Sequence, residues 1–171
     1  MTSTEAPPVT TSQVYRVFIK ASPEQVWDAI TQPEWTVRYG YGGTIEYDPG
    51  LQAGASYRIL ADEKMQAYGM PEVLIVGEVI EADAPNRLAL TWHAQWEPKE
   101  GPTRLTYEIG PWMGDTTSLT VTHELDEAPG LAEMVAGRVE GAGGGWAEVL
   151  SDLKSLLETG EPLYVLPDPA S

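Results

Sequence analysis

From Val14 to Lys20 the chain alternates: Tyr15, Val17 and Ile19 stand against Arg16 and Lys20, with Phe18 the one apolar residue out of phase. A period of two over this length predicts a half-buried strand. At Ala21 the pattern changes. Ser22 suits a helix N-cap, Pro23 its first turn, and Gln25 completes a capping box. Val26, Trp27 and Ile30 give that helix one apolar face, and Gln32-Pro33 stops it. Thr31 with Glu34 offers a second capping box, predicting a short helix or turn around Trp35 to Arg38. Strands follow over 44–47 and 56–60, joined by an Asp48-Pro49-Gly50 turn, whereas residues 62–71 show no period and read as a loop near a pocket mouth.

Four more strands are predicted over 72–81, 87–96, 104–109 and 118–124, separated by short segments rich in Pro, Gly and Asp. Connections this short force antiparallel neighbours. Trp146, Val149, Leu150, Leu153, Leu156 and Leu157 then follow the i, i+3, i+4, i+7 rule, with Gly160 closing the helix. The expected class is α+β: a curved antiparallel sheet whose apolar face is covered by the long C-terminal helix, with two short helices after the first strand. Residues 1–12 read as a disordered lead, 13–160 as the folded domain and 161–171 as a Pro-rich tail.

Composition narrows the function classes. At 171 residues the chain suits one domain, and 10 basic against 26 acidic residues give a net charge of −16, which disfavours nucleic acid as a partner. No apolar segment approaches the roughly 20 residues of a membrane span, so no membrane insertion is expected. The opening lacks a basic residue before an apolar run, so it does not read as a signal peptide, and zero cysteines fit a reducing cytoplasm, the expected location. One Phe beside six Trp and eight Tyr favours amphipathic aromatics of the kind that wall ligand pockets.

Strand alternation separates the two histidines. His123 shares a face with Leu119 and Val121, whereas His93 points away from Leu90, Trp92 and Ala94. His123 is therefore the candidate for chemistry: a general base, a ligand partner, or a core histidine bonded to a neighbour. Two histidines on opposite faces and no cysteine give no transition-metal set, so neither a metal nor a cofactor is expected. Carrying the helical stripe upstream from Trp146 places Arg138 with Met134 and Leu131 on the apolar face. Either Arg138 meets an acidic group in a pocket, or the helix breaks at Gly141 to Gly145 and Arg138 turns to solvent. Those glycines predict a kink that lets residues 130–145 open the pocket mouth. There is no phosphate-binding loop and no nucleophile elbow.

Ala21-Ser22-Pro23-Glu24-Gln25-Val26-Trp27-Asp28-Ala29-Ile30-Thr31, Gly77-Glu78-Val79 leading to Ala84-Pro85-Asn86-Arg87-Leu88, Leu90-Thr91-Trp92, Leu119-Thr120-Val121-Thr122-His123-Glu124 and Gly145-Trp146 carry a family resemblance. The chain resembles the START-like, or SRPBCC, helix-grip superfamily, and within it the group named for the activator of Hsp90 ATPase. The resemblance implies a cavity for a hydrophobic, aromatic or polyketide-like molecule, in some actinobacterial relatives linked to enediyne self-resistance. Its expected wall is Trp27, Trp35, Tyr39, Trp92, Trp96, Tyr107, His123, Met134, Arg138 and Trp146. The enzyme alternative is a polyketide cyclase or aromatase with His123 as base and Arg138 or a tyrosine holding an oxyanion. A third reading is a co-chaperone touching Hsp90. The expected partner is a hydrophobic small molecule, and the sequence names no protein partner.

Overall fold

A computed structural model describes residues 12–169. Alternation sets its sheet: β1 (Ser12–Ile19), β2 (Thr44–Asp48), β3 (Ser56–Leu60), β4 (Val73–Asp83), β5 (Arg87–Ala94), β6 (Thr103–Pro111) and β7 (Thr117–Glu124) form one antiparallel sheet in the order β1-β7-β6-β5-β4-β3-β2. Pairing aligns Tyr15, Val121, Tyr107 and Leu88 across one face, and Gln13, His123, Leu105 and Leu90 beside them. That face carries the core, including Leu88, Leu105, Leu119 and Val121. Helix α5 (Gly145–Thr159) buries Leu150, Leu153 and Leu156. The architecture is the expected α+β helix grip, a curved and unclosed sheet with a C-terminal helix over it.

Local signals explain most of the elements. In α1 (Pro23–Thr31) the Gln25 amide donates to Ser22 Oγ at 3.2 Å and the Ser22 amide to Gln25 Oε1 at 2.8 Å, which is the predicted capping box. The second predicted box does not form: Thr31 instead donates to the Trp27 carbonyl at 2.7 Å, and α2 (Pro33–Thr36) starts at an uncapped Gln32. Phe18 is out of phase because it faces outward, where it packs on Trp112 at 5.0 Å beneath the Arg16 guanidinium. Gly160 ends α5 in the left-handed region at φ 86°.

One short helix departs from the reading of its segment as a loop, and another ends before the expected break at Gly141 to Gly145. Residues 63–67 form α3 (Glu63–Ala67) because Asp62 accepts from the Met65 amide at 2.7 Å and Met65 is buried. Helix α4 (Pro129–Val135) ends ten residues before α5 begins, and its first amides at Gly130 and Leu131 donate to the Glu100 carboxylate at 3.0 and 2.7 Å. The segment between α4 and α5 crosses itself closely: a Cβ on Gly145, at φ 66°, would lie 2.1 Å from the Val135 carbonyl oxygen. The glycine there permits a backbone crossing. Beyond α5, the Leu163 amide donates to buried Asp152 at 2.7 Å and Lys64 donates to the Leu166 carbonyl at 2.9 Å, so residues 161–169 lie back on the domain. Residues 1–11 and 170–171 of the expected lead and tail lie outside the described residues.

Candidate functional site

His123 lies on the covered face of β7 with no exposed surface. Alternation puts it there, and its neighbours decide what it can do. The Trp146 indole N–H, at the start of α5, donates to His123 Nδ1 at 3.1 Å. Nδ1 is therefore the unprotonated nitrogen, and Nε2–H donates to Thr103 Oγ1 at 2.8 Å. The Thr103 hydroxyl passes its own proton to the Trp92 carbonyl at 2.9 Å. The chain of donors closes with no free lone pair on the imidazole. Burial pushes the imidazole pKa down from 6.5 to about 3, so it stays neutral near pH 7.

Around this imidazole the aromatic rings meet edge to face. Trp92 lies 4.8 Å from His123 and 5.7 Å from Trp96, while Trp146 lies 6.0 Å from His123 and 6.2 Å from Tyr107. The Trp96 indole reaches Met134 of α4, donating to its sulfur at 3.1 Å. Trp92, Trp96, Tyr107, His123, Met134 and Trp146, all singled out from sequence, thus form one continuous cluster. Trp96, Tyr107, Met134 and Trp146 are only half-buried, whereas His123 is sealed and Trp92 is buried to 8% exposure.

A second group adjoins it. Tyr39 donates to the Ala29 carbonyl at 3.0 Å, Tyr47 to Thr31 at 3.0 Å and Tyr57 to Thr91 at 2.6 Å. Tyr57 reaches Thr91 across Gly77, where a Cβ would stand 2.6 Å from its ring. The hydroxyls of Tyr39, Tyr47 and Tyr57 all feel that of Tyr107, and burial raises the pKa of all four. An open depression of about 810 Å³ reaches Tyr47 and Tyr57, with Glu46, Arg58, Thr91 and His93 on its lining.

The remaining candidates lie elsewhere. Trp27 is buried on α1, and Trp35 on α2 is half-buried under the Arg38 guanidinium at 4.8 Å. Arg138 does not sit on a covered stripe: the helix has ended at Val135, and the side chain is 70% exposed beside Glu133 at 3.4 Å. Arg138 turns to solvent, as in the second of the two alternatives, but the helix ends before Gly137 rather than at the expected break at Gly141 to Gly145. Sequence reading missed Thr103, Tyr47 and Tyr57; each alternates in phase with inward apolar residues, Leu105, Ile45 and Ile59 respectively. Among the described residues no group of three or more acidic or histidine side chains is placed to hold a metal ion. No helix of these residues is long and apolar enough to cross a membrane.

Over residues 20–158 the sequence matches the family described as Activator of Hsp90 ATPase homolog 1-like protein. No curated protein matches it. CalU16 from Micromonospora echinospora superposes with a TM-score of 0.62 at 20% identity, covering 88% of this chain and 76% of that one. DynU16, a protein of the dynemicin biosynthetic locus, gives 0.65 at 22% identity, covering 89% of this chain and 49% of the other. The Aha1 dimer from Colwellia psychrerythraea gives 0.62 at 17% identity, over 87% and 97% of the two chains. Likenesses at these identities show a shared fold.

Proposed function

Because the chain belongs to the Activator of Hsp90 ATPase homolog 1-like family, with the fold that family implies, we propose that it binds a hydrophobic, aromatic or polyketide-like small molecule between the covered sheet face and α5. The observation that carries this reading is the run of half-buried rings Trp96, Tyr107 and Trp146 beside Met134, packed edge to face in the interior rather than scattered over the surface. Large aromatic rings that keep accessible area inside a domain offer apolar surface to a flat guest. The occurrence of DynU16 in a biosynthetic locus supports a role beside such a pathway, in biosynthesis or self-protection.

Binding is favoured over turnover by the state of His123. A general base needs a free lone pair within reach of its substrate, and Trp146 N–H occupies Nδ1 while Nε2 carries the proton given to Thr103. His123 holds the Trp146 indole in place. The test is a titration with 1-anilinonaphthalene-8-sulfonate's uncharged parent, N-phenyl-1-naphthylamine, followed by tryptophan fluorescence. A saturable change at one probe per chain is expected. A linear, non-saturating change would overturn the reading.

A further inference from the structure

Among the four interior tyrosines, three spend their hydroxyl proton on a backbone carbonyl: Tyr39 on Ala29, Tyr47 on Thr31 and Tyr57 on Thr91. Tyr107 does not. Its hydroxyl has no hydrogen-bond partner among the described residues, although the side chain stands in the middle of the covered sheet face, paired between Val121 and Leu88. A phenol sealed in that state would forfeit the solvation of its polar end. Yet no sealed side-chain oxygen or nitrogen among the described residues lacks a partner. The Tyr107 hydroxyl therefore keeps accessible surface, in agreement with the half-buried state of Tyr107 and of Trp146, whose ring meets it edge-on.

We propose that the Tyr107 hydroxyl anchors the ligand by donating a hydrogen bond to a carbonyl oxygen, so that the site selects neutral aromatic ketones or quinones over hydrocarbons and over carboxylates. This deepens the binding reading above and rests on it. The Tyr107 hydroxyl is the uncommitted hydroxyl of the cluster, since Trp96 N–H is given to Met134, Trp146 N–H to His123, and His123 Nε2–H to Thr103, while the Trp92 indole belongs to a residue only 8% exposed. The surroundings disfavour an anion. The cluster contains no Lys or Arg: Arg138 is solvent-exposed beside Glu133, its charge reaching the Tyr15 hydroxyl in the neighbouring row, and Arg38 lies over Trp35. Asp152 instead adds negative charge near Tyr39. A carboxylate entering here would lose water and find no cation in contact, the Arg138 charge being exposed and paired with Glu133, whereas a ketone needs one donor and finds one. Burial holds the phenol protonated well above neutral pH, so the donor persists across the physiological range.

Calorimetric titration of the protein and of Tyr107→Phe with indane, 1-indanone and indane-1-carboxylate tests this. The parent protein is expected to bind 1-indanone about three- to tenfold tighter than indane, the scale of one net hydrogen bond, and the carboxylate most weakly. Tyr107→Phe should bind indane unchanged and lose the preference for the ketone. Equal affinity for indane and 1-indanone in the parent protein, or a preference that survives in Tyr107→Phe, would overturn the anchor while leaving the binding reading intact. A carboxylate bound as tightly as the ketone would overturn the selection for neutral ligands. Failure of all three probes to bind would overturn the binding reading and this inference with it. The infrared carbonyl stretch of 1-indanone on the parent protein needs no variant: a red shift from its value in an apolar solvent is expected, and no shift contradicts the hydrogen bond.

Discussion

Lowering the pH should destabilise this protein through a single buried imidazole. His123 has no exposed surface and its pKa is held near 3 in the folded state against 6.5 for the free side chain. Between those values the unfolded chain takes up a proton that the folded chain refuses, so stability is fully present above pH 6.5 and falls as pH drops towards 3. Each pH unit in that window costs up to about 1.4 kcal/mol, so going from pH 7 to pH 5 should cost about 2 kcal/mol from this residue. The side chain nitrogens face Trp146 and Thr103, neither of which titrates in this range, so nothing adjacent stabilises the imidazolium. The assay is urea unfolding of the parent and of His123→Gln at pH 7 and pH 5. Glutamine takes no proton and keeps a donor for Thr103; its lost contact with Trp146 lowers stability equally at both pH values and cancels in the comparison. The parent should lose about 2 kcal/mol more than the variant. Equal losses in the two proteins would refute the buried, neutral imidazole.

Two substitutions probe the frame around the site. Gly145→Ala should destabilise by more than about 1 kcal/mol in thermal unfolding, because a Cβ at φ 66° would strike the Val135 carbonyl; a neutral result would mean the α4–α5 crossing is loose. Asp152→Ala removes the acceptor shared by the Gly40 and Leu163 amides, each at 2.7 Å, so hydrogen exchange at both should speed up while exchange at Leu153 stays slow. Unchanged exchange at Leu163 would show that the C-terminal segment is held by other contacts.

What the sequence revealed of this molecule divides along the range of the interactions involved. The Ser22–Gln25 box, the Gly160 stop and the alternation of β5, β6 and β7 are local, and each was readable because the residues that satisfy one another lie within a few positions. The inward direction of His123 belongs to that class. Its partners do not. Thr103 and Trp146 lie 20 and 23 residues from His123, and which nitrogen each one meets depends on the sheet register and on where α5 begins. Thr103 was passed over because strand alternation was read from Arg104 onward. Arg138 was misplaced on one alternative because helical periodicity was carried through glycines whose positive φ ends the helix. Helix α3 was invisible to periodicity at five residues, though Asp62 stood in capping position before it.

The central claim is that small apolar molecules enter beside Tyr107 and Trp146, and the six tryptophans make that directly measurable. Indole N–H signals in a proton–nitrogen correlation spectrum can be followed while N-phenyl-1-naphthylamine is added. Trp146 and Trp96 should shift together along one saturating curve, and Trp112, which is 47% exposed on the opposite face against Phe18, should stay fixed. Saturating shifts confined to Trp112, with Trp146 and Trp96 unmoved, would place the ligand on the outer surface and contradict the account.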